Sequence, residues 1–154
     1  MKEVCLKHGF EGIFPPDDAP DLEPLREEEL DGPYTRLAYI FDRDNLHIRN
    51  SNMIIANLSP FHGHEPDSGT AFEAGICYGL GYPCYAFIKD GRPLCERISC
   101  KKTEEGNWID IQGSFVEDYG LPINKKIADR VRIVIGDLED AARLAADELG
   151  CIPG

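Results

Sequence analysis

The spacing of apolar and polar positions divides the chain into helices and strands in alternation. Residues 2–8 read as the end of a helix that Gly9 stops, with a short strand over 10–14. A run of prolines and carboxylates follows, PPDDAPDLEP and then REEELDGP, which reads as a solvated acidic loop. Over 34–50 the apolar residues Leu37, Ile40, Phe41, Leu46 and Ile48 recur at helical spacing. NMIIANL, 52–58, is a continuous apolar run and predicts a buried strand. Residues 69–80 read as a helix with Asp67 or Ser68 as its cap, and 83–89 as the next strand. A polar excursion spans 90–107, and NWIDIQGSF adds an irregular strand. Residues 122–131 read as a helix with proline in its first turn, and RIVIG as a short strand. The last element, 137–149, is an amphipathic helix capped by Asp137, with Leu138, Ala141, Ala142 and Leu144 on one face and Gly150 as stop.

This alternation predicts an α/β fold in a single domain over 1–154, a mostly parallel sheet wound on both sides in the flavodoxin-like or Rossmann-like manner. Ligands of such sheets sit at the carboxyl ends of strands. The loop after Leu58 is at such an end, so the segment PFHGHEPDSGTAFEAG, 60–75, is where a ligand belongs.

Charge narrows what that ligand can be. The 154 residues carry 28 acidic and 16 basic side chains, for a net charge of −12. Nucleic-acid polymers are held by clustered Lys and Arg, so they are not expected partners; a small neutral ligand is compatible. No apolar run approaches the length of a membrane span, and MKEVCLKHGFEG lacks the apolar core of a signal peptide, so the expected location is cytoplasmic. Six cysteines lack any C-x-x-C pair and are expected to be buried thiols, not a disulfide framework.

Two chemistries are open to residues 60–75. His62, His64, Glu65 and Asp67 are ligand types that zinc accepts. Their spacing matches no familiar zinc motif, and Gly63 and Pro66 place them in a turn, so no metal is expected. Acid chemistry is the alternative. Asp67 stands at the mouth of a helix, where backbone N–H groups and the dipole hold a carboxylate. Glu73 lies further along the same helix between Phe72 and Ile76. It is either an ordinary exposed glutamate or a carboxylate retained for use, because charge among apolar groups is costly. Ala71, Gly75 and Gly79 recur every fourth residue, either as plain helix packing or to admit another backbone closely.

The stretch NSNMIIANLSPFHGHEPDSGTAFEAGICYGLGYP resembles the signature of the nucleoside 2-deoxyribosyltransferase family: a strand ending A-N-L, a loop P-F-x-G-x-E-P-D, then G-T-A-F-E-x-G. Weaker resemblance covers 10–17, the helix before Asn52 and GLPIN at 120–124. The resemblance implies that Glu73 attacks the anomeric carbon of a 2-deoxyribonucleoside. It implies further that Asp67 helps hold the sugar hydroxyls, and that Asp44, with Asp42 as its close rival, gives a proton to the leaving base. Phe61 borders the base or packs in the core or as a lid, and Gly63 and Gly69 belong to the substrate-binding loop. Asn124 matches an asparagine supplied by a neighbouring subunit, which implies a homo-oligomer with shared sites. The partners are then a 2-deoxyribonucleoside and a free nucleobase, with no cofactor. Two other functions stay open: an N-glycosidase, in which water takes the place of the second base, and a nucleoside-binding module without catalysis. The family also begins with a strand of pattern Y-[LI]-A-G-P, whose tyrosine contacts the nucleophile. No such segment stands ahead of the first helix here, so the expected domain is N-terminally truncated relative to the family, with an open slot in its sheet.

Overall fold

Three short apolar runs build the sheet of this computed structural model, which describes residues 1–15 and 33–151. Strand β1 is Ile54–Asn57, β2 is Cys84–Ile88 and β5 is Arg132–Ile135, all parallel in the order β1-β2-β5. Ile54 pairs with Cys84, and Ile88 with Ile135. The central strand β2 is apolar throughout because both of its faces are covered. Alternation along it sends successive side chains to opposite sides. The Cys84 thiol points to the carbonyl of Ala74 on helix α3 (Ser68–Gly79), whereas the Tyr85 hydroxyl donates to Glu148 on helix α6 (Leu138–Leu149) at 3.1 Å.

The α3 side holds the main core: Ala56, Leu58, Cys77, Ala86, Ile88, Ile123 and Val131, joined by Ile48 from helix α2 (Pro33–Arg49). On the other side α6 presents Ala141, Ala142, Ala145 and Ala146, all buried, whose small side chains let the helix lie close to the strands. Asp137 caps α6 by accepting from the N–H groups of Glu139 and Asp140, Asp140 accepts in return from the Asp137 N–H, and Gly150 ends the helix at φ 69°. Helix α1 (Lys2–Lys7) is clasped onto α6 where Lys7 and His8 both meet the Glu139 carboxylate, His8 at 3.0 Å. Helices thus cover both faces of a parallel sheet, the doubly wound, flavodoxin-like α/β arrangement that the sequence predicts.

Several local expectations are corrected. Residues 10–14 form no strand among the described residues, since an extended segment becomes a strand only when it joins a ladder with a neighbouring backbone. The expected helix over 122–131 shrinks to α5, Lys125–Ala128, because the Asn124 side chain accepts the Lys126 N–H and starts the helix there. The polar excursion contains helix α4 (Leu94–Arg97) and strand β3 (Cys100–Lys102), which pairs antiparallel with β4 (Trp108–Asp110). A Cβ added at Gly75 or Gly79 would meet nothing within 4 Å among the described residues, so no described segment packs closely on these glycines; Ala74 and Cys77 are the buried positions. All six cysteines are free thiols, but only Cys77 and Cys84 are buried. The predicted acidic loop falls outside the described residues. Among the described residues, no helix is long and apolar enough to cross a membrane.

One consequence of the strand order matters for the site. Among the described residues β1 is the last strand of the sheet, and it borders a cavity of about 950 Å³. Its walls include Met1 and Cys5, the extended residues 9–15, β1 itself, and Asp44, Thr70 and Glu73.

Candidate active site

The site is assembled where β1 ends and α3 begins. The chain leaves the sheet at Asn57, whose side chain accepts the Ser59 N–H at 3.1 Å and turns the backbone outward. The exposed loop that follows is closed on itself by a hydrogen bond from the Phe61 N–H to the Glu65 carbonyl, 2.9 Å, with His62 in the left-handed region at φ 50°. It ends on Asp67, the N-cap of α3. One carboxylate oxygen of Asp67 accepts from both the Thr70 N–H, 2.8 Å, and the Thr70 hydroxyl, 3.1 Å. These bonds, with smaller help from His62, hold the Asp67 carboxyl below its ordinary pKa. A cap of this kind contributes about 1 kcal/mol to the helix, so Asp67 is fixed for structural reasons as well as chemical ones. Gly69 belongs to the same turn: a Cβ there would lie 3.1 Å from that carboxylate oxygen, and glycine leaves the oxygen room.

Glu73 is held on α3 behind Asp67 and opens into the cavity, half-buried. Among the described residues, nothing donates a hydrogen bond to its carboxylate. Burial is the largest influence on it, followed by the negative charges of Asp44 and then Asp67, and all three push its pKa up. Asp44 reaches the cavity from α2 and is paired with the adjacent Arg43 at 2.9 Å. The neighbouring Asp42 is exposed and does not line the cavity, so of the two rival aspartates it is Asp44 that faces Glu73.

The structure therefore gathers Glu73, Asp67 and Asp44 at one place and leaves the other predicted residues around or away from it. Phe61 is exposed, its ring edge-on to His62 with centroids 4.1 Å apart. Gly63 stands in the exposed loop, where an added Cβ would meet nothing within 4 Å among the described residues. Asn124 does not line the cavity; it caps α5 and donates to Glu117 at 3.2 Å. His62 and His64 are exposed loop residues, and among the described residues no three His, Cys, Asp or Glu side chains are grouped to hold a metal ion.

Two residues escaped the sequence reading. His47 is buried and lines the cavity one helical turn from Asp44. Its i, i+3 spacing from Asp44 was the available signal. The other is Arg97, whose guanidinium donates to the loop at the His64 carbonyl, 3.1 Å. Nothing in the local sequence pairs it with that loop.

Comparison with known proteins places the chain in a family. The family model described as Nucleoside 2-deoxyribosyltransferase matches residues 1–125. Among solved structures, a 2-desoxiribosyltransferase from Leishmania mexicana is similar at 31% identity and a TM-score of 0.57, over 82% of this chain and 77% of that one. No curated protein sequence matches the chain. With the family model spanning most of the sequence, and with Asp44 and Glu73 sharing one cavity beside the Asp67 cap, the chain belongs to the nucleoside 2-deoxyribosyltransferase family.

Proposed function

We propose that the protein transfers 2-deoxyribose from one nucleobase to another through a covalent ester on Glu73. The observation that carries this reading is the placement of Glu73: a half-buried carboxylate, facing a cavity, with its charge opposed by burial and by two further carboxylates. A carboxylate so placed is more basic than one in water, and a cation developing beside it relieves the repulsion.

The steps follow the logic of retaining glycoside chemistry. A Glu73 carboxylate oxygen forms a bond to C1′ of the sugar as the C1′–N bond to the base breaks. The electron pair of that bond passes to the base nitrogen, which takes a proton from Asp44. Positive charge spreads over C1′ and the ring oxygen at the transition state; the Glu73 and Asp67 carboxylates oppose it, and Asp44 becomes negative as its proton passes to the base. Lacking a 2′-hydroxyl, the sugar meets less electronic opposition to that charge. Asp67 accepts hydrogen bonds from the sugar hydroxyls. The second base then attacks C1′, returns its proton to Asp44 and releases Glu73 as a carboxylate.

Incubation with deoxyinosine and adenine should therefore yield deoxyadenosine and hypoxanthine, and a chelator should leave the rate unchanged. Hypoxanthine without deoxyadenosine would replace this reading with hydrolysis. Saturable binding without either product would replace it with a binding module.

The site is proposed to be shared in a homo-oligomer, with Asn124 serving a neighbour. Support comes from two features: Asn124 stands away from its own cavity, and the outer face of α2 and α3 is apolar. Leu37, Phe41 and Phe72 are exposed there, with the Phe41 and Phe72 rings 6.3 Å apart and the open Gly75 and Gly79 beside them. Such a face suits close approach of a second helix pair. Sedimentation at micromolar concentration should show a species larger than the monomer, and Phe72→Glu should return it to the monomer. A wild-type monomer at all concentrations would sink the shared-site reading.

A further inference from the structure

We infer that Arg97 is a positioning residue that locks the loop over 60–66 onto the protein core and so sets its hold on the nucleoside. Arg97 closes the short helix α4, and its planar guanidinium donates to carbonyls of three separate segments. Nη1 reaches His64 at 3.1 Å, Nε reaches Arg92 at 3.2 Å, and Nη2 bonds Pro122. The three carbonyls differ greatly in how firmly they are held. Pro122 precedes Ile123, which is fully buried, and the neighbouring Leu121 carbonyl accepts the N–H of the buried Leu94 at 3.0 Å. The segment 121–123 and the start of α4 are therefore part of the core. His64 belongs to a loop whose residues from Pro60 to Glu65 are all exposed.

One cation thus carries the rigidity of the core out to an exposed loop. That loop bears Phe61 and Gly63 and runs directly into Asp67. The same guanidinium touches the chain two residues before Asn124, so it ties the loop over 60–66 to the core segment that leads into Asn124. A lysine could not substitute. Its ammonium is a single point on a flexible stem, whereas the guanidinium presents its N–H groups as a rigid fork that is always charged. Glu73 and its capped helix do not depend on these bonds, because Asp67 is fixed locally by Thr70. The effect of losing Arg97 should therefore fall on substrate binding and spare the chemical step.

The kinetic part of the test rests on the deoxyribosyl-transfer reading; the structural part does not. In the full chain, Arg97→Ala should raise KM for deoxyinosine by about ten-fold or more while kcat stays within about three-fold. Arg97→Lys should behave like Arg97→Ala. Millimolar guanidinium ion should lower the KM of Arg97→Ala and leave wild type unchanged. Chymotrypsin should cut after Phe61 faster in both variants, as read by fragment masses. Should Arg97→Ala fail to fold, Arg97→Lys carries the same measurements. An unchanged KM together with unchanged cleavage after Phe61 would overturn the inference, as would a loss confined to kcat. If wild type shows no turnover, the deoxyribosyl reading fails, and cleavage after Phe61 alone decides whether Arg97 locks the loop.

Discussion

Replacing Glu73 with glutamine should lower sugar transfer by at least about a thousand-fold, because the group that bonds C1′ is gone and such losses are among the largest single substitutions produce. The same change should make the protein more heat-resistant at neutral pH. The sign follows from the direction of the Glu73 shift. Its pKa is raised in the folded protein by burial and by the charges of Asp44 and Asp67. A carboxyl with a raised folded pKa favours the folded state while it is protonated, and that contribution is lost as pH climbs through the folded pKa. At neutral pH the charged Glu73 is therefore a burden on stability, and a neutral amide of the same shape removes it. Loss of activity with gain of stability is the mark of a group kept for chemistry. Wild-type transfer should also fall on acidification at a pH above the ordinary glutamate pKa, as Glu73 takes up its proton. A melting scan at pH 7 and a pH–rate profile check both. Retained activity in Glu73→Gln would remove Glu73 from the mechanism, and a lower melting temperature would show that its carboxylate is stabilised by something other than the surroundings described.

A second large effect is expected from filling the slot beside β1. Among the described residues no strand pairs with the outer edge of Ile54–Asn57, and residues 9–15 line another part of the same cavity without forming a strand. Two extended segments bordering one cavity leave room for a strand between them, and unpaired edges in a parallel sheet are costly to leave open. Met1 and Lys2 also line this cavity, so a strand joined there would enter it and then continue into α1. We propose that a parallel strand completes both sheet and site. Fusing a short segment of the Tyr-Leu-Ala-Gly-Pro pattern, with a turn, ahead of Met1 should raise the melting temperature by several degrees, each kcal/mol being worth roughly 2–4 °C at this chain length. It should also raise transferase activity, because the tyrosine would arrive beside Glu73. Side-by-side melts and assays of the two lengths decide it. Equal stability and equal activity would mean that the slot is not a strand site.

Much of this protein was legible from residue pattern because the pattern is local. The apolar runs of β1, β2 and β5 mark the strands, and in β2 the run is apolar throughout because both faces are covered. Helix α6 is specified by its stripe of alanines, its Asp137 cap and its Gly150 stop, all within fourteen neighbouring residues. Asp67 could be placed at the mouth of α3 for the same reason, since a cap acts on N–H groups only a few residues away.

Where the reading went astray, the deciding partner was remote in sequence. Residues 10–14 have the composition of a strand, but a strand exists only when another backbone lies alongside, and that is a tertiary fact. Helix α5 is short because Asn124 chose to cap, and the buried Ile123 had to enter the core first. Whether Asp44 or Asp42 faces Glu73 depends on how α2 is rotated against α3, which a shift of two residues along a helix reverses. Glu73 itself is the sharpest case. Its identity was visible in the sequence, yet its raised pKa comes from burial and from carboxylates brought in by another helix and by the loop. The His47 wall of the cavity and the Arg97 lock on the loop over 60–66 arise in the same way. The sequence alone determined the locally specified elements, the apolar strands and the capped helices, and which residues carry reactive groups. The tertiary structure decided which of those groups share a cavity, because desolvation and charge repulsion act through space and not along the chain.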